Sequence, residues 1–192
     1  MTAPPIGTGS ALFDTALGRC GIAWTPRGIA AVQLPESTDE RTRARLRRRL
    51  SDAPEASSPP AVRQVTSRIV ALLAGNEVDL SDIRLDMDGI APFHHAVYAA
   101  ARTIPAGVTI TYGALASRIG APGAARSVGQ ALGRNPFAVI VPCHRIVASG
   151  GKIGGFSAGG GASTKLDILA VEGALLPLPM PMPPARGPGG PR

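Results

Sequence analysis

Between residues 11 and 34, apolar and small polar residues come in short runs separated by turn-forming residues, a pattern that predicts an antiparallel meander. The strands are expected at 11–16, 21–25 and 28–34, with breaks at Gly18 and at Pro26-Arg27-Gly28. Ser37-Thr38-Asp39-Glu40 has the form of a capping box and opens a helix over 41–50, with Leu46 and Leu50 facing inward. A Pro/Ser/Ala-rich loop at 52–60 follows. Val62, Val65, Ile69, Leu72 and Leu73 then fall at helical spacing up to a stop at Gly75.

Beyond Asp86-Met87-Asp88-Gly89 the pattern becomes helical. Phe93, Val97 and Ala100 mark one helix, Thr109-Ile110-Thr111 a short extended piece, and 112–119 and 124–133 two further helices. These last two are joined by the turn Gly120-Ala121-Pro122-Gly123, the outline of a helix-turn-helix. Two β-branched runs, at 139–141 and 146–147, read as buried strand or core-lining backbone, and a last helix is expected at 165–171. The predicted organisation is a flexible N-terminus (1–10), an α/β domain with a short antiparallel sheet (11–85), a mainly α domain with a winged helix-turn-helix-like DNA-binding region (86–175) and a disordered Pro/Gly-rich tail (176–192).

Composition narrows the function. A 192-residue chain with 44% hydrophobic residues can bury a core. The sequence has no apolar run of bilayer length and no signal-peptide pattern, so a cytoplasmic protein without membrane contact is expected. Two distant cysteines, Cys20 and Cys143, and three histidines argue against a disulfide framework or a closed zinc site; no metal and no cofactor is expected. A net charge of +7 suits a polyanionic partner. The excess is spread along the chain: residues 1–85 hold 11 Lys/Arg against 9 Asp/Glu, and residues 86–176 hold 7 against 4. Six arginines in 41–50 read either as a phosphate-binding stripe or as a solvated helix face, and the second is favoured.

The candidate chemistry lies in Pro142-Cys143-His144-Arg145. Cysteine attacks as the thiolate, and a neighbouring imidazole and cation favour that form. Pro142 fixes its own φ and restrains Val141. Upstream, the 124–133 helix is built of small residues with Arg126 as its long cationic reach. This suits close approach to a groove or tight helix packing equally. The glycine-rich stretch 148–161 lacks a P-loop ending and reads as a flap beside the thiol. No function is expected of Cys20.

Residues 90–173 resemble the O6-alkylguanine-DNA alkyltransferase family. The resemblance rests on Ile104-Pro105, Thr111-Tyr112, Ala125-Arg126, Val128-Gly129, Asn135-Pro136, Pro142-Cys143-His144-Arg145, and on Lys165, Leu169 and Glu172. It implies that Cys143 accepts the alkyl group, His144 removes the thiol proton through a water, Glu172 orients the imidazole and Asn135 braces the active-site turn. It further implies that Arg126 fills the gap left by an everted nucleotide and Tyr112 crowds its 3′ phosphate, with Ala125, Ser127, Gly129 and Arg145 also facing DNA. Val141, Pro142, Phe156 and Ser157 would line the substrate pocket. Because a thioether offers no acyl carbon to water, the protein would act once and irreversibly, as a monomer on double-stranded DNA containing O6-alkylguanine, with no obligate protein partner.

The chain departs from the family at His94 and Tyr98, where Gln and Trp are usual, and at Phe156, where a Tyr hydroxyl is usual. Two residues are inserted between Phe156 and Lys165. Slower transfer or altered alkyl preference is expected. The alternative is a lesion-recognition protein of the alkyltransferase-like type, a class that lacks the acceptor cysteine. A helix-turn-helix regulator and a Cys-His hydrolase fit less well, the first because the small-residue helix offers few side chains to read bases.

Overall fold

A computed structural model describes residues 7–150 and 152–174. Strands β1 (Gly9–Thr15), β2 (Gly18–Thr25) and β3 (Gly28–Gln33) form an antiparallel sheet in that order. Period-two alternation divides β2 between two faces: Cys20, Ile22 and Trp24 join the main core, while Ala23 packs with Ala31 and Leu46. The second face is covered by α1 (Asp39–Arg47), and the first meets α2 (Pro60–Leu73) through the core that holds Ile69, Leu72 and Leu73. Gly28 has φ +141, and a Cβ there would lie 2.5 Å from the Arg84 carbonyl oxygen. Its lack of a side chain lets Ile29 donate to Arg84 (3.0 Å) and accept from Asp86 N–H (2.7 Å).

Several sequence expectations shift. Gly9 and Ser10 belong to β1, where Ser10 N–H donates to Pro54 O at 2.8 Å, so these two are not part of a loose terminus; residues 1–6 and the expected tail at 176–192 lie outside the described residues. The α1 cap is Thr38 rather than Ser37: the Thr38 hydroxyl accepts from Arg41 N–H (3.3 Å), and Ser37 accepts from the Arg41 guanidinium instead. Cys20 lies within β2, fully buried, and burial pushes its thiol up to about 11, which leaves it unreactive.

The second half carries α3 (Pro92–Arg102), α4 (Tyr112–Arg118), α5 (Ala125–Gly133) and α6 (Ala162–Val171). Prolines occupy the first turn of α2 and α3, where their missing N–H costs no hydrogen bond. Strands β4 (Ile110–Thr111) and β5 (Ile146–Val147) pair in parallel, which joins the start of α4 to the end of the Cys-His-Arg segment. The molecule is thus α/β, with a small antiparallel sheet and six α-helices among the described residues. No helix there is long and apolar enough to cross a membrane.

Residues 139–141 are not a strand. Ile140 N–H donates to Ala138 O (2.9 Å) and Val141 N–H to Phe137 O (2.8 Å), and Val139 takes φ 71, left-handed and rare for a β-branched residue. Asn135 holds this turn, its side-chain NH₂ donating to Val141 O (3.0 Å) while its carbonyl oxygen accepts from Phe137 N–H (2.9 Å). The turn is also tied to the sheet: Val32 N–H donates to Pro136 O (2.8 Å) and Ala138 N–H to Val32 O (3.1 Å).

Candidate active site

After that turn, Cys143–Arg145 form one 3-10 turn whose side chains are all buried. Cys143 remains 9% exposed at a cavity of about 440 Å³ lined also by Tyr112, Leu132, Phe156 and Ser157. Three glycines, Gly129, Gly133 and Gly155, are also among its lining. Gly154, at φ +76, brings the flap so near Tyr112 that a Cβ would lie 3.1 Å from its ring and hydroxyl.

Behind the thiol, His144 Nε2 lies 3.0 Å from Glu172 Oε1, and both side chains are buried. Arg145 binds the same carboxylate through Nε (2.9 Å) and Nη2 (2.6 Å), and donates from Nη1 to Ile104 O (2.5 Å). Burial alone would raise the Glu172 pKa, but the hydrogen bonds from His144 and Arg145 outweigh it and hold the carboxyl at about 2. Glu172 is therefore an anion, which accepts a hydrogen bond from Nε2–H and leaves Nδ1 as the basic nitrogen of a neutral imidazole. Nδ1 is buried and has no protein hydrogen-bond partner among the described residues. Burial lowers the His144 pKa below its usual 6.5, the Glu172 interaction only partly opposing it. Burial likewise raises the Cys143 thiol, against which the nearby Lys165 charge works.

In the sequence Lys165 stands out only through the motif it shares with Leu169 and Glu172. Its side chain is fully buried, donates to Ile146 O at 2.5 Å, and stands 5.7 Å from the Tyr112 ring centre. Burial brings its pKa down to about 8. A lysine with no carboxylate partner among the described residues, buried near a thiol, is not signalled by residue spacing.

The structure gathers Cys143, Tyr112, Gly129, Phe156 and Ser157 around one cavity. Ala125 and Arg126 line an adjoining depression with Tyr112 and Gly129, and Ser127 is exposed at the start of α5. Three assignments need correction. Arg145 does not face DNA, because its guanidinium is buried and committed to Glu172 and Ile104. Val141 is fully buried and lines no part of the thiol cavity, and Pro142 borders a different cavity beside Arg102 and Arg145. Among the described residues, no group of three or more His, Cys, Asp or Glu could hold a metal ion.

Residues 92–174 match the family described as 6-O-methylguanine DNA methyltransferase, DNA binding domain. A methylated-DNA–protein-cysteine methyltransferase of Mycolicibacterium paratuberculosis is 45% identical over 115 residues, 60% of this chain and 67% of that protein. One from Methanothermobacter thermautotrophicus is 33% identical over 156 residues, 81% of this chain and 80% of that protein. The crystal structure of Mycobacterium tuberculosis OGT in complex with DNA superposes with a TM-score of 0.70 at 35% identity, covering 86% of this chain and 92% of that one.

Proposed function

The chain belongs to the methylated-DNA–protein-cysteine methyltransferase family, and from that premise we propose that Cys143 is its alkyl acceptor. The protein repairs DNA by taking an alkyl group from O6 of guanine onto a cysteine. The observation that carries the assignment is the thiol of Cys143 at a cavity backed by a neutral His144 and an ionised Glu172.

In this reading His144 Nδ1 takes the thiol proton through a water, and Glu172 stabilises the imidazolium that forms. The thiolate sulfur attacks the alkyl carbon, an S–C bond forms as the C–O6 bond breaks, and guanine leaves with its O6 charge neutralised by a returned proton. Lys165 favours the thiolate before attack. Arg145 is a positioning residue that fixes the Glu172 carboxylate. Asn135 acts on the backbone, holding the turn before the thiol.

A guanine within the stack cannot reach a thiol enclosed in this way, so the nucleotide must be everted. Helices α4 and α5 then act as the helix-turn-helix, the flap beyond β5 as a wing, and residues 86–175 as the DNA-binding domain. Arg126 enters the duplex where the nucleotide leaves, and Tyr112 presses on the adjoining phosphate. The small residues on α5 let its backbone lie close to the groove.

Intact mass tests the assignment. Incubation with a duplex carrying one O6-methylguanine should add a single CH₂ to the chain, saturating at one per molecule, and Cys143→Ala should add none. An unchanged wild-type mass with retained lesion binding would overturn it in favour of recognition without repair.

A further inference from the structure

We infer that Arg48 and Arg134 form a second phosphate-contact site, gripping the DNA backbone on the far side of the thiol from Arg126. The inference rests on the alkyltransferase reading and deepens it. Three depressions run end to end along α5. The first holds Arg126 and shares Tyr112 and Gly129 with the thiol cavity. The thiol cavity in turn shares Gly133, Cys143, Phe156 and Ser157 with a third, of about 250 Å³. Arg48 and Arg134 border that third depression, one from the end of α1 and the other from the end of α5.

Their neighbours are already occupied. Arg45 is paired with Glu36 at 2.9 Å, and Arg49 donates to the carbonyls of Asp86 and Asp88. Arg48 and Arg134 are exposed and have no ion pair among the described residues. Each also ends a helix, where a cation complements the dipole, but that effect is worth only about 0.3–1 kcal/mol at an exposed site and does not explain why both border one depression.

The spacing suits one DNA strand. Nine residues make α5 about 13 Å long, roughly the axial rise of four phosphates along a single strand. A strand that meets Arg126 at one end of α5 and delivers its guanine to Cys143 therefore carries further phosphates to Arg134 and Arg48. Part of the 41–49 arginine run thus serves DNA, and it joins the first half of the chain to the grip.

The test compares wild type with Arg48→Gln/Arg134→Gln on a duplex containing one O6-methylguanine, with affinity measured across a salt series. Loss of two phosphate contacts should reduce the slope of log K against log salt by about 1.8, while transfer from free O6-benzylguanine stays at the wild-type rate. An unchanged slope overturns the inference. So does a fall in free-base transfer that parallels the fall in binding, because the variant would then have damaged the thiol cavity. Failure of wild type itself to bind the duplex or gain the methyl group would strike the alkyltransferase assignment instead.

Discussion

The reactivity of Cys143 depends on how burial divides charge among its neighbours. His144 is held neutral by burial, its pKa below 6.5, while Glu172 stays ionised down to about 2. A base with a lowered pKa remains competent into mild acid. The single-turnover rate should therefore stay flat as pH falls through 6.5 and decline only below it; an inflection at or above 6.5 would contradict this. The stability sign agrees: a histidine with a lowered folded pKa binds its proton first in the unfolded chain, so its contribution is present above 6.5 and lost as pH falls towards the folded value. On the other wall, Phe156 lines the cavity without a hydroxyl to donate to the departing O6. One such donor is worth about 2.7–4 kcal/mol in a transition state, so Phe156→Tyr should speed transfer on the same methylated duplex by roughly 10²- to 10³-fold. Single-turnover kinetics check this, and no gain would mean that another donor, such as Ser157, already serves. The reactive trio was legible in sequence because its members are contiguous. The inward turn of Arg145 was not, since Ile104 and Glu172 reach it only through folding.

Among the elements, the turn before the thiol holds the most strain. Val139 sits at φ 71, a conformation costing roughly 1–2 kcal/mol for an L-residue, and it persists because Asn135 spans the turn with two hydrogen bonds. Asn135→Ala leaves Phe137 N–H without its acceptor, at a cost of about 1–3 kcal/mol for a buried group left unsatisfied, while Val141 O keeps only Cys143 N–H (2.8 Å). The variant should melt measurably lower and transfer more slowly, whereas unchanged stability with normal transfer would show the turn to be self-supporting. Runs of β-branched residues at 139–141 and 146–147 read as buried strand or core-lining backbone on both sides of the cysteine, and all five residues are buried. Only Ile146–Val147 became a strand, paired with Ile110–Thr111. Apolar runs report burial well, but they do not register a side chain such as Asn135 that substitutes for ladder hydrogen bonds. The helices were more legible, because their apolar spacing and proline starts are local signals.

At the scale of the molecule, the first half acts as a brace for the second. Both backbone groups of Val32 in β3 are committed to residues 136 and 138, next to the thiol turn, and one cluster of buried side chains runs from Cys20 and Trp24 to Cys143 and Ile168. Asp86 stands at the junction, 3% exposed. It accepts from Thr25 Oγ1 (2.7 Å), Arg27 Nε (3.0 Å) and Asp88 N–H (3.1 Å). Burial opposes its ionisation, but these donors prevail and lower its pKa. Asp86→Ala removes their shared acceptor and should cost about 1–3 kcal/mol, most of it because the buried Thr25 hydroxyl, which still accepts from Arg27 N–H, loses the acceptor for its own proton. Because the core is continuous, that loss cannot remain local. Trp24, the sole tryptophan, reports on the sheet by fluorescence, and alkylation of Cys143 reports on the active site. In a denaturant titration the two probes should share one midpoint in wild type and one lower midpoint in Asp86→Ala. Separate midpoints would mean that the sheet and the thiol segment unfold independently, and β3 would then not brace the chemistry.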